Sequence, residues 1–209
     1  MTFNNKLSEA SSNISEEHSE KLLQHATGSG ASKAVILPAS DITVEDSLAD
    51  MCLEPKCENY GLSKSCPPNV SGPLGFRDKL RKCKQALFFK IDVPSALLFS
   101  SDRREIFQLL HEIASGIELT AVSLGYKKSK AFAGGSCKTI FCYEFAECNV
   151  LSGNRKCRHP SSARQSMSGF GINVSKLMEK AGWPVKKATA EDNPTEDKMS
   201  HVCGLVLIY

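Results

Sequence analysis

The segment Asp102-Arg-Arg-Glu-Ile-Phe-Gln-Leu-Leu-His-Glu-Ile-Ala-Ser-Gly-Ile-Glu-Leu-Thr-Ala-Val-Ser-Leu-Gly125 decides the fold. Ile106, Leu110, Ile113, Ile117, Ala121 and Leu124 recur along it at helical spacing. This predicts one long helix from Ser101 or Asp102, with Gly125 where a helix-ending glycine belongs. Before it, Gln85-Ala-Leu-Phe-Phe-Lys-Ile-Asp-Val93 is an apolar run, read as a strand inside a sheet and ended by Pro94. After it, Lys130-Ala-Phe-Ala133 reads as a short strand entering Gly134-Gly135, so a strand, helix, strand unit brackets the middle of the chain. Ala34-Val-Ile-Leu-Pro38 and Asp41-Ile-Thr-Val44 read as one or two short strands, and Val202-Cys-Gly-Leu-Val-Leu-Ile208 as a further buried one. Shorter helices are expected near Ser162 to Phe170, and from an Asn173 cap to Ala181 with Gly182 and Pro184 closing it. The expected class is α+β: a central mixed sheet, one long helix, shorter helices and two cysteine-rich metal-binding loops.

Residues 1–33 are rich in Ser, Asn and Glu and read as a mobile tail, leaving residues 34–209 as a cysteine-rich metal-binding domain. One short helix is expected inside the tail. Ser15 precedes Glu16 and Glu17, then Leu22, Leu23 and Ala26 lead to Gly28-Ser29-Gly30. The first ten residues lack a basic region followed by an apolar run, and Ala86 to Leu98 is broken by Lys90, Asp92 and Pro94, short of the roughly 20 residues a membrane span needs. The reading is a soluble, cytoplasmic protein with no membrane partner.

With 209 residues, 41% of them hydrophobic, the chain can bury a core without staples, so its nine cysteines need another reason. An odd number cannot all pair as disulfides within the chain. Seven of them fall into two groups: Cys52-x4-Cys57-x8-Cys66-Pro67-Pro68, and Cys137-x4-Cys142-x5-Cys148-x8-Cys157-Arg-His-Pro160. Clustered thiols on irregular, Gly- and Pro-flanked backbone converge on one centre without a large closure cost, which is how thiolate metal sites are built. Cys83 and Cys203 border predicted strands and read as packing residues. Structural zinc favours short C-x2-C knuckles, absent here, whereas Cys66-Pro67 repeats the Cys-Pro ending of bacterial ferredoxin runs. Spacing therefore favours iron-sulfur, with zinc as the alternative.

The formal charge of +3 omits ionised thiolates; Arg155, Lys156 and Arg158 read as balancing those charges, not as a nucleic-acid surface. Gly134-Gly-Ser-Cys-Lys-Thr139 is similar to a phosphate-binding loop but has Cys137 where that motif requires Gly. His159 reads as a ligand, a hydrogen-bond partner or a turn residue, and His111 as a partly exposed helical histidine.

Several motifs together resemble a prokaryotic cysteine-rich family labelled "predicted metal-binding protein". They are Cys57-x2-Tyr60-Gly61 leading to Cys66-Pro67-Pro68, then Gly135-Ser-Cys137, then Cys157-Arg-His-Pro160-x2-Ala163-Arg164-x-Ser166-Met167, and Gly171-Ile-Asn-Val174. The resemblance covers roughly residues 34–209. It implies a cysteine-rich iron-sulfur protein common in anaerobes and carries no assigned reaction. This chain departs from the family in the wider gaps of its second group, and in Gln165 and Asn173, where the family commonly has Pro and Asp.

One or two 4Fe-4S clusters are expected: one on Cys137, Cys142, Cys148 and Cys157, and a second on Cys52, Cys57 and Cys66 with a fourth ligand from elsewhere. Three functional classes stay open. They are a redox or electron-transfer protein working with a redox partner protein, a zinc-binding interaction module, and an enzyme whose iron-sulfur cluster is open to substrate. The absence of a recognisable acid-base or nucleotide constellation favours the first.

Overall fold

The structure, a computed structural model, describes residues 13–153, 155–185 and 198–209. In chain order its elements are α1 (Glu16–Gly28), β1 (Lys33–Pro38), α2 (Asp46–Asp50), α3 (Gly72–Leu80), β2 (Gln85–Pro94), α4 (Arg103–Ser123), β3 (Lys130–Ala133), α5 (Cys137–Phe141), β4 (Gln165–Ser166), α6 (Val174–Lys180) and β5 (Met199–Ile208). The sheet runs β1-β2-β5-β3-β4. Its first three pairings are antiparallel and β3 with β4 is parallel, so the sheet is mixed and the class is α+β, as the sequence predicts. β2, α4 and β3 form the expected unit, with β5 inserted between the two strands.

β2 and β5 are largely apolar because both their faces are covered. Side chains alternate across a strand, so Leu87, Phe89, Ile91 and Val93 join one core with Val202, Val206 and Ile208. Ala86 and Phe88 join the other with Cys203, Leu205 and Leu207. Gly204 pairs with Phe89, and a Cβ there would lie 2.3 Å from the Phe89 ring, so the ring needs that glycine beneath it. Lys90 is buried inside this apolar run and is ion-paired with Asp92 at 2.6 Å.

α4 covers the first face with the buried stripe Leu110, Ile113, Ala114, Ile117 and Ala121. Gly125, at φ +104°, takes the left-handed turn that ends it. The short helix expected in the tail is α1, capped by Ser15, whose hydroxyl accepts from the His18 N–H. Here the structure corrects the tail reading. Leu22 and Ala26 are fully buried against the α4 core, so residues 13–33 belong to the domain's fold; residues 1–12 lie outside the described residues.

Two local expectations also change. Residues 41–44 form no strand beyond a single bridge from Val44 to Ile172. The stretch Ser162 to Phe170 is not a helix, because Gln165 and Ser166 pair with Phe132 and Ala133 at the sheet edge and a 3-10 turn follows. α6 begins where expected, its Asn173 side chain accepting from the Lys176 N–H at 2.9 Å. Among the described residues no helix is long and apolar enough to cross a membrane.

Candidate metal centre

Both cysteine groups lie beyond the carboxyl ends of the parallel strands β3 and β4. Gly134-Gly135 carries the chain from β3 into α5, whose first residue is Cys137. Ser136 caps that helix and also accepts the Cys66 thiol at 3.3 Å. Ser166 donates its N–H to the Ser65 carbonyl at 2.9 Å, tying β4 to the first cysteine loop. The two groups, distant in sequence, therefore meet at Ser65, Cys66, Ser136 and Cys137.

The first loop is folded by its own backbone. Cys57 N–H donates to Cys52 C=O at 3.1 Å, Tyr60 N–H to Cys57 C=O at 2.9 Å, and Gly61 N–H to Pro67 C=O at 2.8 Å. Cys57 is exposed, Cys52 half-buried and Cys66 buried. Burial, then the neighbouring Cys57 and Cys66 sulfurs, push the Cys52 thiol up, so ionising one of the three opposes ionising the next. Asn59 lies between Cys57 and Cys66, and its Oδ1 is buried with no partner among the described residues.

The second group surrounds a small cavity. Cys137, Cys142, Cys148 and Cys157 all line it, with Arg158 and His159 beside them. Basic side chains pin the loop by gripping its carbonyls. Lys138 Nζ donates to Cys142 C=O at 2.9 Å and to Phe145 C=O at 2.6 Å, and Arg158 donates to Glu147 C=O at 3.0 Å while stacking on Phe145. Burial pushes the Cys137 thiol up to about 11, against the Ser65 and Ser63 hydroxyls. Burial also raises Cys142, with Arg158 opposing it. At Cys148 burial loses: the N–H groups of Lys64, Val150 and Leu151, with Arg158, hold the thiol below its usual value. Lys64 belongs to the first loop, so this is a second junction between the groups.

Behind the cavity stands an aromatic ladder. His159 stacks on Phe141 at 5.3 Å, and His111 meets Phe141 edge-on at 5.6 Å. His111 is fully buried, contrary to the partly exposed residue expected, because residues 134 and 164 close over it. Its Nδ1 accepts from the Arg164 N–H at 3.0 Å, leaving Nε2 to donate to the Gly134 carbonyl at 3.1 Å. Arg164 is itself buried, paired with Glu118 of α4 at 3.1 Å. The serines and this His111–Arg164–Glu118 group escaped sequence reasoning, although Ser136 stands directly before Cys137 and Arg164 lies within a quoted motif.

Cys83 and Cys203 are buried in the core that packs on the second face of the sheet and line neither cysteine cavity, the packing position expected of them. Cys83 donates to the carbonyls of Gln85 and Ile208, and burial pushes the two thiols up to about 11 and about 12. Among the described residues, no three Cys, His, Asp or Glu side chains are drawn together closely enough to hold one metal ion. The donor set nevertheless suits a thiolate-bound metal: four sulfurs around one cavity, with backbone N–H groups and a guanidinium to stabilise their charge.

The family described as "Predicted metal-binding protein" matches residues 35–208. No curated protein and no solved structure matches the chain.

Proposed function

We propose, from the premise that the chain belongs to the predicted metal-binding protein family, that its metal is an iron-sulfur cluster used in electron transfer. Cys137, Cys142, Cys148 and Cys157 would hold a 4Fe-4S cluster, and Cys52, Cys57 and Cys66 would contribute three thiolates to a second centre. The observation that carries this reading is the single cavity lined by all four cysteines of the second group. Four cysteines around one cavity suit a thiolate-bound metal, and the absence of C-x2-C knuckles together with Cys66-Pro67 favours the cluster over zinc. When bound, such a cluster supplies reversible one-electron chemistry. The chain's own contribution is electrostatic. Arg158 and the N–H groups of Lys64, Val150 and Leu151 stabilise thiolate charge, while burial of Cys137 keeps water from the inner side. The exposed rings of Tyr143 and Phe145, under Arg104 and Arg158, would offer a redox partner protein a docking surface.

Anaerobic purification followed by iron, zinc and sulfide analysis tests this. The expected protein is brown, contains acid-labile sulfide, and is reduced reversibly by one electron without added substrate in electron paramagnetic resonance. Stoichiometric zinc without sulfide would instead assign a zinc-binding interaction module.

A further inference from the structure

The first cysteine group, unlike the second, faces a large opening. A cleft of about 720 Å³ lies at the carboxyl ends of β3 and β4, within the range of about 300–1,000 Å³ that small-molecule sites occupy. Cys52, Cys57 and Cys66 all line it.

Its chemistry is selective. Among the described residues Arg103 is the cation in its lining, and no carboxylate lines it. The guanidinium stacks over Phe107 at 5.3 Å and has no acidic partner among the described residues. Asp46 is engaged by Arg77 and Glu45 by Lys176. Phe107 is seated by the glycines after β3. A Cβ on Gly135 would lie 2.8 Å from the ring, and one on Gly134 would lie 3.3 Å from it. The Gly134-Gly135 pair that looked like part of a phosphate loop thus gives this ring its place. Met51, Ile172 and Val174 extend the apolar lining, and Ser166 and Ser168 add hydroxyls.

We propose that this cleft binds a small organic acid, its one anionic group held by Arg103 and its apolar body against Phe107, beside the thiols of Cys52, Cys57 and Cys66. A single cation suits a monoanion, whereas a polyphosphate chain would call for several. The proposal goes beyond the metal-centre reading, since Arg103 and Phe107 are not part of either cysteine group.

The test is calorimetric titration of the full chain, purified anaerobically, with 2-naphthoate and with 2-naphthamide as its uncharged counterpart of like shape. Naphthoate is expected to bind at least about tenfold more tightly than the amide. Arg103→Gln removes an exposed side chain, so the fold is retained, and should abolish that difference while leaving the amide's affinity unchanged. Arg81→Gln, an exposed arginine outside the cleft lining, should leave both affinities unchanged. Equal affinity for the two probes, no binding of either, or full naphthoate affinity in Arg103→Gln would overturn the proposal. Metal and sulfide are assayed on the same samples. A failed metal-centre reading therefore shows in that analysis, and a failed cleft shows in the titration.

Discussion

His111 illustrates what a single buried ring does to the whole chain's acid response. Burial holds its imidazole down to about 4, with the Gly134 carbonyl acting against this and the Arg164 charge adding to it. In the unfolded chain the group titrates near its ordinary 6.5. Between those values the unfolded state binds more protons, so the stability this group confers is fully present above about 6.5 and is lost as pH falls toward 4. The loss amounts to as much as about 3 kcal/mol. Urea midpoints measured at pH 7 and pH 4.5 should fall less in His111→Gln than in the parent protein. Equal falls would remove His111 as a cause. The sequence misplaced this residue for a physical reason. Helical periodicity identifies the face carrying Leu110 and Ile113, but the groups that bury His111 come from residues 134, 141 and 164, far along the chain.

At the level of elements, α1 is the clearest departure from composition. Its Ser- and Glu-rich sequence has the look of a tail, yet Leu22 and Ala26 close the core over α4. Leu22→Ala should therefore cost about 2–5 kcal/mol in urea unfolding, while Leu74→Ala, at a side chain 74% exposed, should change stability by no more than about 0.5 kcal/mol. Similar small effects from both would restore the tail reading. Elements with a long period or a continuous apolar run, α4, β2 and β5, were legible in the sequence. α2 and α5, each five residues long, are too short to show a 3.6-residue period, and α3 opens with Gly72-Pro73, which reads as loop punctuation. β4 was hidden for another reason: two residues become a strand only because β3 is there to pair with them.

For the molecule as a whole, the burial of Cys83 and Cys203 was legible because they fall singly beside strands, apart from the seven clustered cysteines expected as metal ligands. Through which residues the two groups meet was not legible, since that depends on Ser65, Ser136 and Lys64 joining two loops some 70 residues apart. Cys157→Ala and Cys57→Ala should lose metal and much of the stability. Metal-binding energy at thiolate sites is folding energy, on the order of 10 kcal/mol for structural zinc peptides. Cys83→Ala and Cys203→Ala should keep full metal content and lose only what a small buried side chain contributes. Metal analysis paired with thermal melts reads both effects, and equal metal loss in all four variants would show the division to be mistaken. The order of strands in the sheet also bears on how the protein is made. β5 joins β2 on one side to β3 on the other, yet every other strand precedes it in the chain. While residues 199–208 are still inside the ribosome, the nascent chain can hold only an antiparallel β1-β2 pair and a separate β3-β4 pair, each with a bare apolar edge. The loops that hang from β3 and β4 therefore gain their connection through the sheet to β1 and β2 only when β5 joins the two pairs.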